Sequence, residues 1–264
     1  MQTRSEQPTL FQAGSLKFEI YKSRLAAARA AALAVADAML HLTQTGDDLG
    51  VIFATGASQL TMLHELISLS GLPWNRIVGF HMDEYKGMAP DHFASFRRYL
   101  HEQLIERVPI KKFHEIDGSA ADAERTCREY AAKLKASNPQ LCLLGIGENG
   151  HLAFNDPFVA DFGDPLDVRL VDLDKECREQ QVAEGWFPDM ERVPAQAITL
   201  TVPALFHVPK LIVSVPGSRK AKIVRRVIEE AISNACPATL LKTHPDATVY
   251  LDDESSAELG DLVG

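Results

Sequence analysis

Leu49-Gly50-Val51-Ile52-Phe53-Ala54 is an apolar run that stops at Thr55-Gly56-Ala57-Ser58, after which Leu60, Leu63, Leu66 and Ile67 recur at helical spacing. A short run that is apolar at nearly every position belongs in a strand covered on both faces, as in a parallel sheet flanked by helices. The rest of the chain repeats this alternation. Strand-like runs at 16–20, 76–80, 113–116, 140–146, 197–202, 210–215 and 248–251 are interleaved with helical patterns at about 22–43, 120–136 and 218–233. A further helix carries a Phe93, Phe96, Leu100, Leu104 stripe, which reads as core packing. Strands alternating with helices imply parallel pairing through right-handed crossovers. The expected fold class is therefore α/β: a single Rossmann-like open sheet, mostly parallel, with helices on both faces. No repeat, low-complexity tract or Gly/Ser linker divides the chain, so residues 1–264 read as one domain. The stretch 156–194 is rich in Pro, Asp and Glu and weakly periodic, which predicts a lid over about 157–194.

Composition narrows the function. Asp plus Glu outnumber Lys plus Arg by 36 to 27, a formal net charge of −9. That balance argues against nucleic acid as a partner, since such binding draws on neutralised phosphates. A single phosphorylated metabolite needs only a local basic pocket. Cys127, Cys142, Cys177 and Cys236 form no C-x-x-C pair and read as reduced thiols, which points to the cytoplasm. The first eleven residues are polar, without an apolar signal core. The Ala/Leu-rich stretch 25–42 is broken by Arg29 and Asp37, so a soluble helix is expected there and no membrane association.

Ligands of open α/β sheets bind beyond the carboxyl ends of the strands, and several such ends carry unusual residues here. The turn Thr55-Gly56-Ala57-Ser58 leads from a buried strand into a helix. Its small residues would let N–H groups approach an anion at a helix N-terminus; the competing reading is a plain turn with Ser58 as the N-cap. His81-Met82-Asp83-Glu84-Tyr85 ends the 76–80 run. A carboxylate at the mouth of a low-dielectric sheet can serve as a general base, whereas an acidic helix start is the structural reading. A metal site of His81, Asp83 and Glu84 is disfavoured, because no second His/carboxylate cluster supports it. In Gly145-Ile146-Gly147-Glu148-Asn149-Gly150-His151 the glycines fit a dinucleotide fingerprint, but Phe154-Asn155-Asp156-Pro157 interrupts the helix that fingerprint needs. The glycines instead present His151, with Asn149 and Asp156 near it, for proton transfer. Finally, Gly217-Ser218-Arg219-Lys220 opens a helix with cations that oppose its dipole, which suits a bound anion or, alternatively, a solvated basic face.

With these elements in hand, the chain resembles the glucosamine-6-phosphate deaminase (isomerase) family, within the superfamily that also holds 6-phosphogluconolactonases. The resemblance runs from about Leu16 to Leu259. It rests on Ala54-Thr55-Gly56, Met82-Asp83-Glu84-Tyr85, the 145–157 segment with Gly150-His151-Leu152-Ala153-Phe154-Asn155, Gly217-Ser218-Arg219-Lys220-Ala221, and Leu240-Leu241-Lys242-Thr243-His244-Pro245. The Asp-Glu-Tyr and Gly-His-Leu-Ala-Phe-Asn forms favour the deaminase branch over the lactonases.

The resemblance implies conversion of an amino-sugar phosphate to a ketose phosphate and ammonia, with no metal or organic cofactor. His151 would assist ring opening, helped by Asn149 and Asp156, and Asp83 would move the C2 proton toward C1. Thr55, Gly56, Ala57, Ser58, Glu84, Gly150 and Lys220 would hold the substrate and its phosphate. Three positions depart from the family pattern. Asn149 stands where an Asp is usual and Asp156 where a Glu is usual. Glu184 falls at or beside a phosphate-contacting Arg. The ring-opening relay is then rewired, or the sugar differs. The allosteric residues of hexameric members are not recognisable within 159–169, so no such activation is expected. A lactonase-like hydrolase and a non-catalytic sugar-phosphate-binding regulator are the alternative readings, and monomer and homo-oligomer stay open.

Overall fold

The computed structural model describes residues 7–44, 46–183, 185–260 and 262. The chain opens with an antiparallel hairpin, β1 (Thr9–Ala13) and β2 (Leu16–Tyr21), followed by helix α1 (Arg24–Leu42). Strand β3 (Leu49–Phe53), helix α2 (Leu60–Ser68) and strand β4 (Ile77–His81) come next. After a short strand β5 (Asp83–Tyr85), the chain forms α3 (Phe96–Leu100), β6 (Lys112–His114), α4 (Ala123–Ser137) and β7 (Leu141–Leu144). The second half comprises β8 (Val168–Asp172), α5 (Lys175–Ala183), β9 (Gln196–Leu200), α6 (Val202–Phe206), β10 (Lys210–Ser214), α7 (Ala221–Glu229) and β11 (Ala247–Asp252).

Eight strands form one sheet in the order β1-β2-β11-β10-β7-β3-β4-β6, parallel throughout except for the β1–β2 hairpin at its edge. The α/β class expected from the sequence is what the chain adopts. Period-two alternation sorts the strand residues between two cores. Val51, Phe53, Leu141 and Leu143 face the cluster built with α1 and α2. Ile52, Cys142 and Leu144 face the opposite cluster, built with α4 and α7. By length and composition α1 could cross a membrane. In the fold, Ala28, Ala31, Ala32, Val35 and Met39 on α1 are buried against the sheet and α2.

Helix boundaries follow their caps. Ser23, Ser95, Asp122 and Thr201 each accept a backbone N–H at the start of α1, α3, α4 and α6. The Ser95 cap corrects one expectation: the helix begins at Phe96, so Phe93 lies before it and is 49% exposed, while Leu100 and Leu104 are fully buried.

A second, antiparallel sheet of three strands, β5-β9-β8, was not expected. The run at 196–200 is a strand, but it pairs here rather than in the main sheet. The chain leaves the main sheet at Met82, whose carbonyl accepts the Leu200 N–H at 2.7 Å, and Asp83 is already paired opposite Thr199. The stretch expected to be weakly structured therefore holds β8 and α5.

Strand order reverses between β3 and β7. From β3 the chain moves outward through β4 to β6, returns to β7 on the other side of β3, and proceeds to β10 and β11. Crevices at such a reversal are where open α/β sheets receive ligands.

Candidate active site

Loops from the carboxyl ends of β3, β4, β7 and β10 surround a cavity of about 350 Å³, within the size range of small-molecule sites. The turn after β3 brings Thr55, Gly56, Ala57 and Ser58 into its wall. Gly56 takes φ 101°, a left-handed value that favours glycine. Its carbonyl accepts the Tyr99 hydroxyl at 3.0 Å and the Gln59 N–H at 3.0 Å. Ser58 is not the N-cap. Helix α2 starts after Gln59, whose side chain reaches the Ser214 carbonyl instead of capping the helix. Helix α7, preceded by a 3-10 turn at Ser218–Lys220, likewise lacks a side-chain cap. Helices α2 and α7, which begin at the cavity, thus have no side-chain cap, whereas α1, whose Arg24 also reaches the wall, is capped by Ser23. Uncapped N–H groups and two helix dipoles converge where an anion would be stabilised.

Lys220 is 8% exposed and lines the cavity. Arg219 also lines it, but its Nε lies 3.0 Å from a Glu148 carboxylate oxygen, so its charge is shared with a carboxylate.

Asp83 lies at the joint between the two sheets, 6% exposed, with Oδ1 buried and without a hydrogen-bond partner among the described residues. Burial, and then the neighbouring Glu84 charge, push its carboxyl well above the ordinary carboxylate range. Glu84 takes another path. It is fully buried and points away, where its carboxylate accepts the Ser95 hydroxyl at 2.8 Å and the N–H groups of Tyr85, Phe96 and Arg97. Arg97 Nε lies 3.6 Å from it. Alternate residues of a strand face opposite sides, so Glu84 serves α3 and is absent from the cavity wall, contrary to expectation. His81 is also structural. Its Nε2 accepts the Ile116 N–H at 2.7 Å and burial pushes its pKa down to about 3, leaving it neutral. Among the described residues no group of three or more His, Cys, Asp or Glu is placed to hold a metal ion.

The loop after β7 folds back on itself. Gly147 N–H donates to the His151 carbonyl at 3.0 Å, and Gly150 N–H donates to the Gly147 carbonyl at 3.0 Å. His151 enters the cavity wall. Its Nδ1 is 2.8 Å from Asn149 Oδ1 and 3.1 Å from Asp156 Oδ1, two acceptors that keep the proton on Nδ1. Nε2 is the ring nitrogen left to meet a ligand. The Asn149 amide donates to Asp156 Oδ1 at 2.9 Å, closing a three-residue network. Asp156 is fully buried. Burial alone would raise its carboxyl, but hydrogen bonds and charge from His151, then the Asn149 amide, outweigh it and hold the carboxyl low. Gly150, expected to touch substrate, is not in the wall; a Cβ there would meet Cys236 Sγ at 2.6 Å, so its role is packing. Ala153, on the wall, holds φ 53°, a strained value for a residue with a Cβ. Phe154 N–H and the Asn155 amide anchor this loop to Thr199 and Leu200 of β9.

Sequence reading passed over several wall residues, among them Glu254, which follows β11. Arg24 comes from the start of α1 and donates to the Ala57 carbonyl at 3.1 Å. Gln181 and Trp186 come from the 157–194 segment, with Gln181 accepting the Tyr85 hydroxyl at 2.8 Å. Arg24 sits beside no motif, whereas Gln181 and Trp186 flank position 184, which the family resemblance had singled out. Glu184, singled out from the sequence, lies outside the described residues.

Residues 22–154 match the family described as glucosamine-6-phosphate isomerases/6-phosphogluconolactonase. The chain is 31% identical over 208 residues to a glucosamine-6-phosphate deaminase from Lactobacillus helveticus, covering 79% of this chain and 84% of that protein. It is 34% identical over 202 residues to one from Bacillus thuringiensis, covering 76% and 75%. Among solved structures, a monomeric glucosamine-6-phosphate deaminase superimposes with a TM-score of 0.84 at 27% identity, over 91% of this chain and 99% of that one. A 6-phosphogluconolactonase from Trypanosoma brucei reaches 0.75 at 16% identity over 95% and 100%, a likeness of fold.

Proposed function

The chain belongs to the glucosamine-6-phosphate isomerase/6-phosphogluconolactonase family, and from that premise we propose that its cavity deaminates and isomerises an amino-sugar phosphate of the glucosamine 6-phosphate type. The observation that carries the reading is the pairing of an unpartnered, buried Asp83 oxygen with a His151 whose Nδ1 is already engaged, both on one cavity wall.

His151 Nε2 exchanges a proton with the ring oxygen and opens the sugar, while Asp156 stabilises the charge that forms on the imidazole. The substitutions at 149 and 156 fit this role. Asn149 supplies the acceptor that orients the ring, and Asp156 supplies the negative charge within 3.1 Å of it. Ionised Asp83 takes the C2 proton of the open aldehyde and returns it to C1, passing through an enolamine to a C2 imine. Water adds to C2 and ammonia leaves, giving the ketose phosphate. The phosphate is held by the 55–58 turn and Lys220, and its binding energy positions the reacting carbons. These steps need no metal or organic cofactor.

We read residues 1–264 as one catalytic domain with 157–194 as its cover, acting on a small molecule in the cytoplasm. Four free, buried cysteines support a reducing compartment. The test is ammonia release from glucosamine 6-phosphate and related amino-sugar phosphates in deuterated water. Release with solvent deuterium appearing at C1 is the expected result. Binding without turnover would leave a regulator, and lactone hydrolysis without deuterium uptake would leave a lactonase.

A further inference from the structure

Arg24 has no explanation in the helix that carries it. It is the first residue of α1, a helix already capped by Ser23 and without acidic residues in its first turn. A cation there opposes the helix dipole. Its Nη2 donates to the Ala57 carbonyl at 3.1 Å, which sets the guanidinium on the 55–58 turn, and the side chain lines the cavity with Ser218 and Lys220. A guanidinium has five donor hydrogens, and this one contact uses one of them. No carboxylate lies within ion-pair distance of Arg24 among the described residues, whereas Arg219 is engaged by Glu148.

We propose that Arg24 is a phosphate-clamping residue, which uses its remaining N–H groups to hold the substrate's phosphate from the α1 side while its Nη2 braces the turn that binds the same group. The proposal rests on the sugar-phosphate reading above and adds a residue that selects phosphorylated over free sugars. Bidentate geometry makes Arg rather than Lys the suited side chain, because one planar fork serves the carbonyl and the phosphate together. A dianion at this spot also removes the penalty of an unpaired cation at a helix start.

The test compares the wild type with Arg24→Gln and Arg24→Lys. Binding of inorganic phosphate is measured by calorimetry, and KM and kcat are measured with glucosamine 6-phosphate. Arg24→Gln is expected to weaken phosphate binding and raise KM by about tenfold, the scale of one charge-assisted hydrogen bond, with kcat within about twofold. Arg24→Lys is expected to fall between, retaining charge but not the fork. The exposed position keeps both variants folded, which thermal melts verify. Unchanged phosphate binding and KM in Arg24→Gln would overturn the proposal, as would a loss confined to kcat, which would mean that Arg24 only braces the turn. Because the phosphate titration needs no turnover, it separates this proposal from the deaminase reading. A wild type that deaminates nothing but binds phosphate through Arg24 would sink that reading and leave this one standing.

Discussion

Gly147 lies directly beneath the His151 imidazole: a Cβ at this position would stand 2.2 Å from the ring's Cε1. The glycine is therefore required by contact with the side chain four residues later. Gly147→Ala is expected to push the ring off Asn149 and Asp156. Overpacking of this kind costs roughly 1–3 kcal/mol, and the loss of kcat should exceed the loss of stability. Comparing kcat with the melting temperature checks it; a fully active variant would mean that the ring geometry is not needed.

Asp83→Asn is expected to abolish deuterium uptake at C1 and lower kcat by roughly 10²–10⁴-fold, the range of general-base catalysis. It should also stabilise the fold at neutral pH. The folded-state pKa is raised by burial and by Glu84, so Asp83 costs nothing below the ordinary carboxyl range, where it is neutral in both states. As pH rises from that range toward the elevated folded value, its ionisation increasingly penalises the native state. Melting temperatures of the two proteins should converge in acid and diverge in favour of the variant as pH rises.

Asn149→Asp places a second carboxylate beside Asp156 and exchanges the amide donor at 2.9 Å for a like charge. Both carboxylates then favour protonated His151. The Asn149 amide is one of the groups that hold the Asp156 carboxyl low, so its loss is expected to raise the pH at which Asp156 takes up a proton, read by the acidic limb of the pH profile of kcat. Asp156→Asn should remove that limb and cost roughly 10²-fold in kcat. For stability the sign is opposite to that of Asp83. The Asp156 carboxyl is held low, so its contribution is present above the ordinary range and lost as pH falls through the folded value.

Glu84→Gln separates the neighbouring carboxylates. It removes the charge facing Arg97 and weakens the hydrogen bonds that start α3, for an expected cost of roughly 2–4 kcal/mol. It also removes the second cause of the raised Asp83 pKa. The acidic limb of kcat/KM should therefore move to lower pH in the protein that stays folded. An unmoved limb would show that burial alone sets the Asp83 titration.

The parallel sheet and the loops of the site were legible because their signals are local. A fully apolar strand ending in glycine and a charged residue announces both a buried strand and a ligand-facing end. The second sheet was not legible for the opposite reason. Asp83-Glu84-Tyr85 is polar and three residues long, and becomes a strand only by pairing with residues 197–199 more than a hundred positions later. Glu84 was misassigned because sequence proximity to Asp83 conceals that adjacent strand residues face opposite ways. Arg24 is one arginine in an alanine-rich helix, and only the fold reveals that the helix starts at the cavity.

The chain turn at Met82 ties the Asp83 carboxylate to β9, and β9 in turn to β8 within residues 157–194. The segment that supplies Gln181 and Trp186 to the cavity wall is thereby joined, through β8 and β9, to the strand that carries Asp83. A substitution that shifts β8 or β9 is therefore expected to shift the setting of Asp83 with it.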